Sequence, residues 1–495
     1  MLTDVEQSRL TLSNTTDPNK KSQLGQFFTP ATIARFMAEM FVPNENDNCY
    51  LLDAGAGIGS LSAAFLERWV SGGLHFQRVE LDAFEIDPSL HPYLTQTLEK
   101  YKKYPDFALR ISEDDYIHAA ADWLAGDLFA EPLPKYTHAI LNPPYKKIRS
   151  DSAHRAALRR AGIETVNLYS AFVALSLSLL DEHGQLVAII PRSFCNGPYY
   201  RPFRQYMLDR AAIKRMHLFE SRNKAFKSDD VLQENIIIQL ERGAQQGTIL
   251  ISTSTDDSFD DLTSHEHPFD RIVFPEDTER FIHVPTSSKL NALESCPSIR
   301  YSLTDLNVRV STGPVVDFRV KEHLCDMPEA DTVPLLYPGH FNSFGIDWPK
   351  QGVKKPNAIR RNSETEKWLY PNGFYCVVRR FSSKEEKRRV VATVVDPTEF
   401  ADAPAVGFEN HLNVFHENKH GLPQALAYGI AVFLNSTLLD EYFRTFNGHT
   451  QVNATDLRRI KYPSRDTLIA LGEWTLEQAD ITQETIDKKL ETITS

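Results

Sequence analysis

Two hydrophobic patterns alternate along the first half of the chain. Short apolar runs predict buried strands, and the stretches between them carry apolar residues at helical spacing. The predicted strands are Leu51–Asp53, Val79–Ile86, a weaker one ending near Gly126–Asp127, Tyr136–Leu141, Gln185–Ile190, Ile213–Phe219 and Asn235–Leu240. The predicted helices are Thr29–Phe41, Ser60–Val70, Leu90–Tyr104 and Tyr169–Asp181. This alternation indicates an α/β fold, with a mostly parallel seven-stranded sheet and helices on both faces.

The pattern changes after Gly243. Residues 244–290 are polar and rich in turn residues, which predicts a linker or an irregular lead-in to a second domain. Residues 291–495 carry short strand-like runs and then helical segments, so we expect a mixed α+β domain. The predicted organisation is therefore a first domain over 1–243, the segment 244–290, and a second domain over 291–495.

A glycine-rich segment at 53–60 directly follows the first predicted strand. Glycine lets a backbone approach a ligand closely and turn sharply into a helix. A nicotinamide-binding fingerprint would place glycine at position 60, where this chain has Ser60. Glu85, at the end of the second strand, can accept hydrogen bonds from both ribose hydroxyls, and Asp127 can accept one from an adenine amine. The ends of neighbouring strands thus predict a nucleoside cofactor site.

The fourth strand runs into the sequence Asn-Pro-Pro-Tyr at 142–145. Proline lacks a backbone donor and fixes its own φ, so the turn is rigid. It presents an amide and an aromatic ring at the carboxyl edge of the sheet, which suits a planar substrate with an exocyclic amine. The alternative is a loop whose prolines only end the strand.

Composition excludes several classes of protein. The net charge of −12 argues against a protein that coats nucleic acid, although it allows a local basic face. Five scattered cysteines without a Cys-x-x-Cys pair predict free thiols and no metal site. The longest apolar stretch, 168–180, is shorter than the roughly 20 residues that cross a bilayer, so we expect a cytoplasmic protein with no membrane contact.

In their order along the chain, these motifs resemble those of S-adenosylmethionine-dependent DNA methyltransferases that modify the N6 amine of adenine. The segment 25–30 resembles the amino-terminal cofactor motif of that family. Because this motif precedes the glycine loop and the extra domain comes last, the resemblance is to the gamma subclass, typified by TaqI methylase. Segments 310–313, 379–389 and 448–454 resemble recognition domains of type II modification methylases of the PstI and BsuBI kind.

The resemblance implies a Rossmann-like methyltransferase sheet and a carboxyl-terminal DNA target-recognition domain. It implies S-adenosyl-L-methionine as the cofactor and double-stranded DNA as the partner, with an adenine flipped out of the duplex for methylation. We expect the modification enzyme of a restriction-modification system in a bacterial or archaeal cell. Any restriction endonuclease would be a separate chain and not a stable subunit.

The resemblance also implies roles for individual residues. The catalytic residues would be Asn142, Pro143, Tyr145 and Phe226, of which Phe226 is either an aromatic that stacks on the extruded base or an ordinary core residue. The cofactor-binding residues would be Phe28, Thr29, Asp53, Ala54, Gly55, Gly57, Glu85, Ile86, Asp127, Leu128 and Pro144. Positive charge or hydrogen-bonding side chains, and not the resemblance, select the candidate DNA-binding residues: Lys146, Lys147, Arg379, Arg380, Lys384, Arg388, Arg389, His449, Gln451 and Asn453.

Three alternatives share parts of this pattern. The same Asn-Pro-Pro-Tyr turn serves methylases of the glutamine side-chain amide in proteins, and its chemistry also suits an RNA adenine methylase. A DNA-binding subunit with a decayed catalytic domain is the third alternative. The large region after residue 243 favours DNA over protein as the substrate.

Overall fold

The computed structural model describes residues 2–15, 28–44, 46–126, 135–220, 234–287, 292–342, 344–352, 354–383, 385–400, 403–448 and 450–494. The chain divides into two units, Met1–Ser288 and Lys289–Ser495. In the described part of the chain, no helix has the length and apolar character needed to span a membrane.

The first unit alternates strands and helices. Its strands are β1 (Asn48–Ala54), β2 (Arg78–Phe84), β3 (Phe107–Ser112), β4 (Tyr136–Leu141), β5 (Leu180–Pro191), β6 (Ala211–Phe219), β7 (Asn235–Arg242), β8 (Thr248–Ser254) and β9 (Thr263–Pro268). Its helices are α1 (Leu2–Thr15), α2 (Ala31–Met40), α3 (Ser60–Val70), α4 (His91–Glu99), α5 (Tyr116–Ala125), α6 (Ala153–Arg160), α7 (Leu168–Leu179), α8 (Arg201–Leu208) and α9 (Phe269–Ile272). The helix Ser60–Val70 was predicted with these bounds.

The described strands of this unit form one nine-stranded sheet in the order β3-β2-β1-β4-β5-β7-β6-β8-β9. Strands β3, β2, β1, β4 and β5 run parallel, and β7 is antiparallel to both of its neighbours. The chain builds outward in one direction from β1 to β3 and then crosses to β4. The carboxyl ends of β1 and β4 therefore flank a topological switch point, where open α/β sheets bind ligands.

Alternate residues of the central strands enter two different cores. Leu52, Ala139 and Ala188 pack with α5 and α7, whereas Leu51 and Ile140 pack with α2, α3 and α4. Every residue of β4 is buried, as expected for a parallel strand covered on both faces. This double burial holds the carboxyl ends of the strands in place.

Two sequence predictions for this unit are wrong. The third strand is 107–112, and the apolar residues before Gly126 form α5, because Asp115 accepts hydrogen bonds from the Ile117 and His118 amides and starts a helix there. The segment 244–290 is not a linker, since β8 pairs with β6 and β9 pairs with β8. The first unit therefore extends to residue 288 and its sheet exceeds the predicted seven strands.

The second unit is mixed α+β, as predicted. Its strands are β10 (Ile299–Tyr301), β11 (Arg309–Thr312), β12 (Leu324–Cys325), β13 (Thr332–Leu336), β14 (Phe341–Asn342), β15 (Gly345–Ile346), β16 (Ala358–Arg360), β17 (Leu369–Pro371), β18 (Tyr375–Arg379), β19 (Ala392–Val395), β20 (Ala405–Phe408), β21 (Leu412–His416) and β22 (Tyr462–Pro463). Its helices are α10 (Ala292–Ser295), α11 (Gln424–Leu434), α12 (Thr437–Phe446), α13 (Ala454–Arg459), α14 (Arg465–Leu476) and α15 (Gln483–Thr494). The main sheets have the orders β11-β21-β18-β19 and β12-β16-β13-β20-β17.

Helices α11 and α14 pack backbone against backbone through two glycines. A Cβ atom added at Gly429 would overlap the Leu468 carbonyl oxygen, and one added at Gly472 would overlap the Ala425 carbonyl oxygen. Each helix thus leaves room for the backbone of the other, and neither position accepts a larger residue without separating the helices.

We expect Gly429→Ala to destabilise the second unit by about 3 kcal/mol or more, because the new methyl group meets backbone atoms that cannot move aside. Denaturant unfolding of the full chain measures this loss. Gly339→Ala is the matched control, since an added Cβ there meets nothing within 4 Å. Equal stability of the two variants would contradict the packing described here.

Candidate active site

The glycine loop connects β1 to α3 in a conformation that requires glycine. Gly55, Gly57 and Gly59 have φ angles of 77°, 58° and 83°, which residues with a Cβ rarely adopt. The Gly55 and Ala56 amides donate to the Phe84 carbonyl at 2.9 and 2.8 Å, so the loop is attached to the end of β2. The residues of the loop therefore lie close to the residues that follow β2.

Glu85 follows β2 and joins two loops. One carboxylate oxygen accepts from the Gly57 amide at 2.8 Å and the other from the Asp87 amide at 2.7 Å. Only 3% of Glu85 is exposed, and burial raises the pKa of its carboxyl despite the two amide donors. Glu85 is thus held rigidly with its carboxylate beside the glycine loop.

Asp53 lies beneath the loop rather than on its surface. It is fully buried, and the Ser62 hydroxyl donates to its carboxylate at 2.5 Å. Burial, reinforced by the nearby Glu85, raises its pKa to about 7. Asp53 therefore positions the start of α3, and Ala54 is buried with it.

A cavity of about 230 Å³ opens beside these residues at the carboxyl ends of the strands. Six of the predicted cofactor residues line it: Phe28, Gly55, Gly57, Glu85, Ile86 and Pro144. Asn142 and Lys146 line it as well. The cavity therefore joins the predicted cofactor site to the Asn-Pro-Pro-Tyr turn in a single space.

Sequence reasoning missed part of this cavity. Asp114 and Asp115, which follow the true third strand, line it together with the rings of Phe84, Tyr116 and Phe172. They occupy the place that the sequence prediction assigned to Asp127. The missed signal was the Asp-Asp pair before a helical stretch, a typical helix start.

One group near the cavity has the composition of a metal site. Asp115, His118 and His154 each offer a ligand atom, and these atoms lie within 4.8 Å of one another. His154 donates to the Asp115 carboxylate at 2.7 Å, and this bond raises the pKa of the imidazole. In the described contacts, Asp115 and His154 form an ion pair between the start of α5 and α6. The expectation that the protein binds no metal stays a prediction.

The turn at 142–145 is fixed by side-chain hydrogen bonds. The Tyr145 hydroxyl lies 3.1 Å from both the Asn142 side-chain oxygen and the Ile189 carbonyl. The Asn142 amide nitrogen donates to the Thr29 hydroxyl at 2.9 Å. Thr29 therefore orients Asn142 instead of lining the cavity, and the Tyr145 ring lies edge-on to Tyr169.

The predicted DNA-binding residues fall into different environments. Lys146 and Lys147 are exposed just after the turn, and Gln451 is half-buried in the second unit. Arg379 pairs with Glu386, and Arg380 donates to the Asn410 carbonyl.

Three of these DNA-binding predictions conflict with the structural roles of the side chains. Arg389 is 1% exposed and donates to Asn447, so it cannot reach a phosphate. Arg388 donates to the Asn435 carbonyl, and Asn453 caps α13. In the described part of the run 379–389, Arg379, Arg388 and Arg389 thus bond within the protein, whereas Lys387 is exposed.

Several predicted residues lie outside the described part of the chain. They are Asp127, Leu128, Phe226, Lys384 and His449.

Comparison with known proteins places the chain in a family. The family described as Eco57I restriction-modification methylase matches residues 90–226. Type II methyltransferase M.BsuBI of Bacillus subtilis is 56% identical over 99% of this chain and 97% of that protein. The chain belongs to the family of type II methyltransferases. Type II methyltransferase M.PstI of Providencia stuartii is 43% identical over 94% of this chain and 92% of that protein.

As a type II methyltransferase, the chain is a DNA methyltransferase of the restriction-modification kind, and its cofactor is S-adenosylmethionine. The predicted family is thereby confirmed. Among solved structures, the DrdV–DNA complex shares the fold with a TM-score of 0.52 and 12% identity, over 96% of this chain and 59% of that one.

We expect Glu85→Gln to weaken S-adenosylmethionine binding at least about tenfold, because a hydrogen bond to a charged group contributes about 1.5–3 kcal/mol. A neutral amide at this position also places an N–H group against the Gly57 or Asp87 amide. Titration calorimetry measures the affinity, and Glu80→Gln is the control, because Glu80 lies on β2 just before Glu85 and pairs with Arg78 at the surface. Unchanged affinity for Glu85→Gln would exclude Glu85 as a cofactor ligand.

Proposed function

We propose that this type II methyltransferase methylates the N6 amine of an adenine flipped out of double-stranded DNA. The observation that supports this proposal best is the oriented Asn142 amide at the cavity that the glycine loop and Glu85 also line. An exocyclic amine offers two hydrogens, so its site must offer two acceptors. Asn142 and the carbonyl of Pro143 supply them in this proposal.

The low reactivity of an adenine amine explains why the site would need two hydrogen-bond acceptors. The lone pair of an adenine amine is delocalised into the ring, which makes the nitrogen a poor nucleophile. Two acceptors placed out of the base plane draw the amine toward a tetrahedral geometry and free the lone pair. The catalysis then rests on positioning and on fixed dipoles, as in other sites without a covalent intermediate.

The residues around the cavity fit the cofactor. Backbone at the glycine loop can approach a ligand, Glu85 suits ribose hydroxyls, and Asp114 or Asp115 suits an adenine amine. The bound cofactor supplies an electrophilic methyl group on sulfur. Pro144 and Phe28 add apolar surface to the same cavity, which limits access of water to the reacting atoms.

The target atom is inaccessible within a duplex, so the base must leave the stack at a cost of a few kcal/mol. Stacking on an aromatic ring recovers about 1–3 kcal/mol per base. Tyr145 is the proposed platform, and its hydroxyl, 3.1 Å from both the Asn142 side-chain oxygen and the Ile189 carbonyl, holds the ring in place.

The second unit is the proposed target-recognition domain. In this proposal Lys146 and Lys147 contact phosphates, which positions the duplex without reading its sequence. Gln451 and Arg380 are the half-buried predicted residues on the second unit that remain available for this task. A restriction endonuclease would act as a separate chain in the same cytoplasm.

We expect Asn142→Ala to lower the methylation rate on the order of 10²–10³-fold, the loss seen when one preorganised polar group of an active site is removed. DNA and cofactor affinity should change little. Nucleoside mass spectrometry of DNA from expressing cells identifies the product as N6-methyladenine, and Asn48→Ala, at the exposed start of β1, is the control. Methylated cytosine as the product, or a methylated protein amide with unmodified DNA, would refute the proposal.

Tyr145 has two proposed roles, to orient Asn142 through its hydroxyl and to stack on the base through its ring. We expect Tyr145→Phe to remove the first role and keep the second. The variant keeps the ring but loses the hydroxyl, whose single proton lies within reach of the Asn142 side-chain oxygen and the Ile189 carbonyl, so the rate constant should fall about tenfold, as for roughly 1–1.5 kcal/mol. Fluorescence of 2-aminopurine at the target should match the parent enzyme in Tyr145→Phe and decrease in Tyr145→Ala. A parental rate for Tyr145→Phe would show that the hydroxyl does not position Asn142.

A further inference from the structure

The second unit contains its own cavity, of about 280 Å³. Tyr337 and Lys355 line one part of it, and Arg379, Phe381 and His411 line another. Tyr337 directly follows β13, and Lys355 precedes β16. Arg379 ends β18, Phe381 follows it, and His411 directly precedes β21. None of the functions derived above uses this cavity.

Aromatic rings dominate its lining. The Phe381 side chain is 40% exposed, and its ring centroid lies 4.9 Å from that of His411. The Lys355 ammonium lies 5.4 Å from the centroid of the Tyr337 ring. Exposed aromatic surface in a concave site favours a flat ligand that stacks.

The basic side chains at the cavity already have acidic partners within the protein. The pairs are Lys355 with Asp317 at 2.5 Å, Arg379 with Glu386, and His411 with Glu409 at 2.6 Å. A phosphate would have to displace a carboxylate from one of these pairs. The balance of charge therefore favours a neutral ligand over a free anion.

Two polar atoms of residues that line the cavity lack a hydrogen-bond partner in the described part of the chain. They are the Tyr337 hydroxyl and Nε of Arg379, and both are buried. A buried polar group without a partner costs about 1–3 kcal/mol. A ligand whose edge carries hydrogen-bonding atoms can satisfy such a group after a small side-chain movement.

A nucleobase is flat, neutral and carries hydrogen-bonding atoms on its edge. Within a duplex it cannot enter a cavity, because only protruding protein groups reach the bases in the grooves. We propose that this cavity holds a second extruded base of the recognition sequence, distinct from the base that is methylated. This inference rests on DNA as the substrate, and it does not depend on which base receives the methyl group.

The neighbouring chain supports this placement. Phe381 forms a backbone bridge with Gln451, in the segment 448–454 whose sequence resembles recognition domains. The base would thus be held beside the segment predicted to contact the target. Stacking on Phe381 would offset part of the extrusion cost of a few kcal/mol.

The experiment uses the full chain and duplexes that contain its methylated sequence, identified by modification-sensitive sequencing. Each position in turn carries 2-aminopurine or a fluorescent pyrimidine. In parallel, each base pair is replaced by a mismatch, which lowers the cost of extrusion and tightens binding at a flipped position. We expect two positions to respond in both measurements, the methylated base and one other.

Variants then assign the second position to the cavity. Phe381→Ala should abolish the second fluorescence increase, preserve the first, and weaken DNA binding about 5- to 100-fold. Tyr337→Phe keeps the ring and should reduce the second signal alone. Phe318→Ala is the control, because Phe318 is a 63% exposed phenyl group of the same unit outside the cavity.

The possible failures are distinguishable. A response at the methylated position alone would overturn this inference and leave the proposed function intact. A second response that persists in both Phe381→Ala and Tyr337→Phe would place the second base elsewhere and overturn the inference as well. No response at any position of the methylated sequence would contradict base extrusion itself, and with it both the proposed function and this inference.

Discussion

The active site depends on one constraint, the parallel alignment of β1, β2 and β4 with their carboxyl ends at one edge of the sheet. Three separate segments, the glycine loop, Glu85 and the Asn-Pro-Pro-Tyr turn, meet only because these ends lie side by side. Burial on both faces by two cores prevents the strands from shifting. The sheet topology thus brings the three segments together, and hydrogen bonds between them then fix their positions.

Local signals in the sequence predicted the parts of this site that depend on local rules. Gly55 and Gly57 require positive φ, and two prolines end β4, so both features are visible in the sequence alone. Glu85 was predicted from its place at the end of the second strand, and the family resemblance added Thr29. What could not be predicted is the arrangement of contacts through space: Thr29 bonds to Asn142, 113 residues away, and Asp53 turns inward to Ser62.

The errors have physical causes. The apolar residues before Gly126 are compatible with a strand or a helix, and they form a helix because Asp115 caps its start. The acidic residues that follow the third strand are therefore Asp114 and Asp115. Residues 244–290 are polar because β8 and β9 extend the edge of the sheet, where the β9 side chains are largely exposed. Arg389 belongs to a charged run but is buried and donates to Asn447, which a count of charges cannot show.

The two hydrogen bonds of Asn142 have a consequence for which bases the site admits. Its nitrogen donates to the Thr29 hydroxyl and its oxygen accepts from the Tyr145 hydroxyl, which leaves the oxygen with a second lone pair for a substrate amine. In the proposed function, a base in the site meets this acceptor oxygen. A base with a carbonyl group there would place oxygen lone pairs against oxygen lone pairs, with no donor between them. Guanine and thymine, which carry a carbonyl at this position, would thus be rejected by polarity and not by their size.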